Sequence, residues 1–518
     1  MGKVDAILFK EKEMLKGIKA LYQIKLLSFN GLWYLINAIH AVGMNLMALL
    51  YVAQKLYPNR IAFQDDTDQI TYRDLYLQSQ RLADQLYQHY DIQPRQKIAV
   101  IAYNHLSLVH SLFALSVLGT DIYLINAEIS PTQFQRLNEK HQFKWIIHDP
   151  EIQYVSLDQS IFMDHHLSIS INSLLKEKNY LLHQKRKVRH FSKIIVLTSG
   201  STGNFKSAER SSKVGNFLIP FYQLLAQLNL YRYQSIYIAT PIYHGFGMAT
   251  LCMAVILGAT SYLQKKFIAQ DACDLLEKHQ IEVVTLVPLM LSRMLRCDER
   301  KLRSLQCIIT GGAAIAEPLV NETLSKLGNI LFNLYGTSEA GVCMIATPND
   351  LQKSPKTIGK PIPGLQAKIV ENGQTMTDGV GELYIKCAWS IQSKIWIKTG
   401  DLAFKDLNGY YYLQGRADDM IVSGGENVYP YSLEQTLINH PMVAEAFVLV
   451  IFDSEFGQRL VAFIVVEKNQ SISEEELYAW LKTKIARYQM PKRILLIDEI
   501  PITIIGKPDK KKLLQLLT

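Results

Sequence analysis

Short runs of continuous apolar residues recur along the first two thirds of this chain, each followed by a longer stretch with helical spacing. KIAVIAYN (97–104), DIYLIN (121–126), KWIIHD (144–149), KIIVLT (193–198), SIYIAT (235–240), IEVVTLV (281–287) and LQCIIT (305–310) share this character. A strand that is apolar on both faces has to be covered on both, and parallel sheets flanked by helices do this. The alternation therefore predicts an α/β architecture: a large N-terminal domain of parallel or mixed sheets covered by helices. The last four runs are each expected to lead into about 15–25 residues of helical periodicity.

The texture changes after about residue 365. GELYIK, GYYYL, AEAFVLVIF and RLVAFIVVE read as strands joined by Gly- and Asn-containing turns, which suits antiparallel pairing. SEEELYAWLKTKIARY (473–488) reads as a helix with acidic residues in its first turn. The polar stretch GRADD (415–419) is the expected boundary of a small C-terminal α+β domain joined by a hinge. The chain has 518 residues, and single cores stop growing at roughly 250–300, so more than one unit is required. The expected division is an N-terminal extension over 1–43, a large domain over 44–416 and a mobile small domain over 417–518.

Residues 26–54 contain no Asp, Glu, Lys or Arg. About 20 apolar residues suffice to cross a bilayer, so the segment is long enough. Asn30, Asn37, His40 and Asn45, however, fall within roughly 140° of one another on a helix turning about 100° per residue. Such a stripe suits a helix lying at an interface or packed on the protein. Lys3, Lys10, Lys12, Lys16, Lys19 and Lys25 precede it and could meet anionic headgroups. Three readings stay open: a helix lying at a membrane face or packed on the protein, a bilayer span, and an ordinary core helix. The protein is expected to be cytoplasmic, with residues 1–43 the candidate for peripheral contact with the inner face of a membrane.

Net charge is +8, too mild for a dedicated nucleic-acid binder, and no nucleic-acid partner is expected. The excess is local. Residues 176–213 hold ten Lys and Arg against Glu177 and Glu209, so this stretch alone carries the net +8. A field of that sign favours polyphosphate or another anion. The six cysteines form no CxxC pair, which points to reduced thiols.

The strongest local motif follows the 193–198 run: Thr198-Ser199-Gly200-Ser201-Thr202-Gly203-Asn204-Phe205-Lys206. Glycines among hydroxyl residues let main-chain N–H groups and hydroxyls converge on an anion, and a lysine adds mobile charge. It is not a Walker loop, since Phe205 rather than Gly precedes Lys206. Other polar islands lie at strand ends: TGGAAI (310–315), LYGTSEAG (334–341), TGD (399–401), GRADDMIVSGGENVYP (415–430) and PITIIGKPDKKKL (501–513). Strand ends are where open α/β sheets bind ligands. Glu339, among hydroxyls, suits Mg²⁺ when a nucleotide supplies further oxygens.

In this order and approximate spacing, these segments resemble the adenylate-forming (AMP-binding) superfamily of acyl-CoA synthetases, luciferases and peptide-synthetase adenylation domains. The resemblance runs from about Asn45 onward, where YVAQKLYPNRIAFQDDTDQITYRDL looks like the family's opening helix and strand. It implies that Thr198 to Gly203 and Lys206 cradle ATP phosphates. Gly312 and Ala313 would lie beside adenine, with Tyr335 stacked near it and Gly336 and Ser338 also at the nucleotide. Glu339 would hold Mg²⁺, and Asp401 and Arg416 would bind the ribose hydroxyls. His244 would border the acyl pocket and Asp418 would be the hinge. Gly424, Gly425, Glu426 and Asn427 would meet the pantetheine arm of CoA, and Lys507 would be the adenylation lysine. Lys507, Ser338, Glu339 and Lys206 would form the catalytic set. One departure stands out: the family's usual Pro-Lys-Gly reads Phe205-Lys206-Ser207 here.

The implied activity is adenylation of a carboxylic acid, expected to be a fatty or other lipophilic one, with release of pyrophosphate and then thioester formation with CoA. The implied cofactors are ATP, Mg²⁺ and CoA. Two other readings remain open: acyl transfer to a carrier-protein thiol, and a lipid-binding or uptake protein on the same fold.

Overall fold

The computed structural model describes residues 16–165, 168–177, 192–199, 205–208, 218–390, 395–423, 426–453 and 457–517. Six of the seven apolar runs become parallel strands inside two sheets, and the seventh, Lys193–Ser199, is parallel on one side only. A nine-stranded sheet runs from Lys360–Pro361 through Gly341–Ala346, Leu331–Thr337, Cys307–Gly311, Val283–Leu286, Ser235–Ile238, Thr260–Tyr262 and Ile61–Gln64 to Gln69–Thr71. A six-stranded sheet has the order Ser160–Phe162, Trp145–His148, Lys97–Ile101, Asp121–Leu124, Lys193–Ser199 and Phe205–Ala208.

The helices Leu46–Leu56, Tyr72–Tyr90, Leu106–Leu118 and Gly245–Leu257 pack on one another and contribute to one continuous core. Leu106–Leu118 and Gly245–Leu257 are apolar on nearly every side, as a helix must be when protein surrounds it. A five-stranded antiparallel sheet follows, ending in Ile397–Lys405 and Tyr411–Arg416. The C-terminal portion has its own sheet, in which Val443–Asp453 pairs antiparallel with Gly457–Val466 and Arg493–Leu496 pairs parallel. This is the expected class, a large α/β domain and a smaller C-terminal one.

Four expectations need correction in detail. The stretch after 193–198 does not continue as a helix but returns as the antiparallel strand Phe205–Ala208, with Thr198 opposite Lys206, and the helices after the next three runs are shorter than expected, at 13, 11 and 11 residues. The 473–488 run is helical only over Glu474–Lys482, followed by a short 3-10 turn at Arg487–Gln489. Antiparallel pairing does not cover the whole C-terminal sheet, because Arg493–Leu496 joins it in parallel.

The uncharged segment 26–54 is two helices rather than one. Phe29–Val42 stops at Gly43, and Asn45 caps Leu46–Leu56 by accepting from the Ala48 N–H at 3.2 Å. The Asn and His stripe is therefore broken, because Asn45 belongs to the second helix. No helix among the described residues is long and apolar enough to cross a membrane.

Candidate functional site

The carboxyl ends of four neighbouring strands in the large sheet open onto one cleft. Past Ser235–Ile238 comes the turn that carries His244, the residue before the helix Gly245–Leu257. Asn104 ties this turn down: its side-chain amide donates to the Thr240 carbonyl at 3.1 Å, and its oxygen accepts from the Ile242 N–H at 2.8 Å. Val287 follows Val283–Leu286, while Gly312 and Ala313 follow Cys307–Gly311 and are exposed. Leu331–Thr337 carries Tyr335 and Gly336 and turns through Ser338 and Glu339 into Gly341–Ala346.

The antiparallel sheet brings Asp401 and Arg416 to the same place, directly opposite one another across two strands. The Tyr335 hydroxyl donates to Asp401 Oδ2 at 2.5 Å, and Arg416 Nη1 donates to Asp401 Oδ1 at 3.1 Å. Arg416 also grips Asp418 with two hydrogen bonds, at 2.9 and 3.0 Å. Gly400 makes this approach feasible. It has φ +80, and a Cβ there would sit 2.8 Å from Arg416 Nη2.

Burial raises the Asp401 pKa, against the opposing pull of Tyr335 and Arg416. Burial and the neighbouring Asp401 push the Tyr335 phenol well up. Asp418, through its paired bonds, holds the Arg416 guanidinium in its charged form.

Lys507 reaches this cluster from the small C-terminal portion. It ends a tight turn in which Thr503 N–H donates to the Lys507 carbonyl at 2.8 Å and Gly506 N–H donates to the Thr503 carbonyl at 2.8 Å. Ile504 N–H donates to Glu128 Oε2 at 3.0 Å, which fastens the turn to the large domain. Protein crowds around Lys507 while one side stays open to solvent. That desolvation, with the nearby Arg416 charge, lowers its pKa, and Asp401 partly offsets the effect. Burial, and then Lys507, push the His244 pKa down to about 4, so its imidazole is neutral at pH 7.

Farther out, Glu445 on Val443–Asp453 pairs with both Arg293 and Arg296 of the helix Pro288–Asp298. Arg293 Nη2 also donates to the Ile500 carbonyl at 2.6 Å.

The structure thus brings Tyr335, Asp401, Arg416, Asp418, Lys507 and His244 into one charge-coupled cleft, rimmed by Gly312, Ala313, Gly336, Ser338 and Glu339. Thr198, Ser199 and Lys206 are placed by their backbones at the end of the six-stranded sheet. Gly200, Ser201, Thr202, Gly203, Gly424 and Gly425 lie outside the described residues. Glu426 and Asn427 form part of the short strand Glu426–Val428.

Sequence reasoning misses Asn104, Glu128, Arg293, Arg296 and Glu445, whose partners lie far away along the chain. It also passes over Thr240, Thr285 and Thr310. Their buried hydroxyls, with that of Tyr243, have no hydrogen-bond partner among the described residues. The signal that could find them is a threonine at the end of an otherwise apolar strand, where an unsatisfied hydroxyl is costly.

Residues 50–392 match the family described as AMP-binding enzyme, and residues 432–507 match the AMP-binding enzyme C-terminal domain. The chain belongs to the AMP-binding enzymes. Among curated members of similar sequence, the 2-succinylbenzoate–CoA ligase of Bacillus subtilis (strain 168) is 27% identical over 463 residues, covering 86% of this chain and 93% of that one. The corresponding ligase of Bacillus velezensis is 28% identical over 465 residues, covering 86% and 93%.

Among solved AMP-binding enzymes, the o-succinylbenzoate CoA synthetase (MenE) of Bacillus subtilis, in complex with the acyl-adenylate OSB-AMP, superimposes with a TM-score of 0.76. Its identity is 26%, and the match covers 90% of this chain and 97% of that one. The anthranilate CoA ligase AuaEII, at 20% identity and a TM-score of 0.79 over 91% of this chain and 97% of that one, shows the shared fold.

Proposed function

We propose that this AMP-binding enzyme is an AMP-forming acid–thiol ligase: it activates a carboxylic acid to an acyl adenylate and then forms a thioester with CoA. The observation that carries this reading is the turn bearing Lys507, which the Ile504–Glu128 bond fastens to the large domain and which brings the lysine charge within electrostatic reach of His244, Asp401 and Arg416. A carboxylate attacking the α-phosphate of ATP brings two anions together, and the bond to the leaving pyrophosphate breaks as the acyl–phosphate bond forms. Lys507, with its ammonium held in a partly dry cleft, neutralises the charge that spreads over the phosphoryl oxygens, and Lys206 does so on the pyrophosphate side. Asp401 and Arg416 hold the ribose hydroxyls, Tyr335 flanks adenine with Gly312, Ala313 and Gly336, and His244 borders the acyl group as a neutral ring.

The half-buried Glu339, in a turn with Thr337 and Ser338, offers an all-oxygen donor set that fits Mg²⁺. When bound there, the ion would polarise the phosphate oxygens. Thioester formation needs the same carbonyl region that Lys507 occupies, so Asp418 serves as the hinge and the segment Gly424 to Asn427 receives the pantetheine arm. The 1–43, 44–416 and 417–518 division follows from the same reading.

The acid itself is proposed to be lipophilic, a fatty acid in the first instance, and the protein to work at the cytoplasmic face of a membrane. The outward apolar helix Phe29–Val42 supports the placement at a membrane. The similar curated ligases act on 2-succinylbenzoate, which makes an aromatic acid the competing reading. Pyrophosphate release measured over a panel of fatty and aromatic acids, followed by CoA-dependent thioester formation, tests both steps. Exchange without thioester would leave adenylation standing and remove CoA in favour of a carrier-protein thiol. No exchange with any acid would favour a lipid-binding role.

A further inference from the structure

The helix Phe29–Val42 is mounted the wrong way round for a water-soluble surface. It buries Gly31, Ala38 and Val42 and turns its larger side chains outward. Phe29 is 87% exposed, Trp33 56% and Ile36 52%, and Leu32 and Ile39 are exposed beside them. At about 100° per residue these five side chains fall within roughly 120° of one another, an apolar face that also carries the exposed His40 in its last turn. The preceding helical stretch over 16–23 adds exposed Ile18 and Tyr22.

The mount is firm. Ala20 and Ile24 are buried in the main core, Tyr57 OH donates to the Ile24 carbonyl at 2.9 Å, and Ser28 caps the helix by accepting from the Gly31 N–H at 3.0 Å. Soluble monomers rarely leave so large an apolar patch without a partner.

Charge identifies the partner. Between Glu13 and Asp65 the chain has no acidic residue, yet it carries Lys16, Lys19, Lys25, Lys55 and Arg60. Lys19 and Lys25 are exposed on the segment that leads into this helix, Lys25 in the turn just before it. An apolar face with exposed Trp, Phe and Tyr, bordered by lysines and too short to span, matches a helix lying in the headgroup layer of an anionic bilayer.

We propose that the face formed by Phe29, Leu32, Trp33, Ile36 and Ile39, with Lys19 and Lys25, docks this protein on an anionic phospholipid surface. This deepens the proposed placement at a membrane but is independent of the ligase chemistry. The next helix, Leu46–Leu56, packs against Gly245–Leu257, the helix that begins at His244.

The test is co-sedimentation of the full chain with vesicles of phosphatidylglycerol and phosphatidylcholine, and with phosphatidylcholine alone. Wild type should partition onto the anionic vesicles, less so at high salt. The triple variant F29S/W33S/I36S should lose at least tenfold in partition while keeping its melting temperature and its pyrophosphate exchange with a short soluble acid. The pair K19E/K25E should weaken binding to the anionic vesicles selectively. Equal partition of wild type and triple variant, or no partition of wild type, overturns the proposal. It is also overturned if wild type forms a dimer in solution that the triple variant abolishes and neither form binds vesicles, since a second copy then covers the face. Loss of exchange with every acid, alongside intact vesicle binding, would count against the ligase reading alone.

Discussion

Replacing Gly506 with alanine should separate the docking of Lys507 from the stability of the fold. Gly506 has φ +72, and a Cβ there would lie 2.3 Å from Val287 Cγ2 and 2.9 Å from Met290 Cε. Both neighbours are buried and anchored in the large domain. The left-handed backbone costs an alanine about 1–2 kcal/mol, and forcing a methyl into filled space costs about 1–3 kcal/mol. The docked turn should therefore be weakened by about 2–5 kcal/mol, or at least about thirtyfold at the lower bound.

Because the strain falls on the docked turn, G506A should keep its melting temperature within a few degrees while ATP–pyrophosphate exchange drops by that factor. Shortening the opposing side chain in G506A/V287A should recover the packing part and leave the backbone part, a deficit of about 5- to 30-fold. Wild-type exchange in G506A would refute the argument, as would a double variant no better than the single.

Other consequences can be checked on the same protein. In the proposed role Lys507 acts as the ammonium, so adenylation should fall as pH rises, with its alkaline limb below the 10.5 of an ordinary lysine; D401N, which removes the carboxylate that raises this pKa, should move the limb lower still. K507A should lose exchange by about 100-fold or more yet still pass acyl from preformed adenylate to a thiol.

His110 is buried with its pKa pushed down from 6.5 to about 4, so the unfolded chain binds its proton first as pH falls. Stability should therefore be lost from pH 6.5 down to about 4, and thermal melts of H110Q should be less acid-sensitive by up to about 3 kcal/mol. E445A leaves Arg293 and Arg296 without their shared carboxylate, which is only 7% exposed. It should cost about 3–5 kcal/mol of domain docking, read as faster proteolysis of the 501–508 turn and at least a tenfold loss of exchange.

Much of the fold and of the cleft is legible in the amino-acid order. Strands buried on both faces announce themselves as apolar runs because burial on two sides leaves no room for alternation, and Val283–Leu286 and Cys307–Gly311 fall within or one residue beyond the runs 281–287 and 305–310. The site residues that sit in short polar islands, such as Tyr335 and Asp401, are readable for the opposite reason: polarity at a strand end has few structural uses.

What escapes is long-range. Glu128 looks like any exposed acid until Ile504 arrives from the far end of the chain, and Glu445 resembles a strand charge until two arginines from the large domain surround it. The strand Phe205–Ala208 is hidden because its apolar content is low and its pairing is set by a neighbour, not by its own periodicity. The break at Gly43 is hidden because an uncharged run keeps helical spacing even when a turn interrupts it.

Arg416 is occupied before any nucleotide reaches it, held by Asp401 on one side and by both oxygens of Asp418 on the other. If Asp401 and Arg416 hold the ribose hydroxyls as proposed, an entering ribose takes over bonds that already exist, and the net affinity is the difference between two sets of hydrogen bonds rather than the sum of new ones.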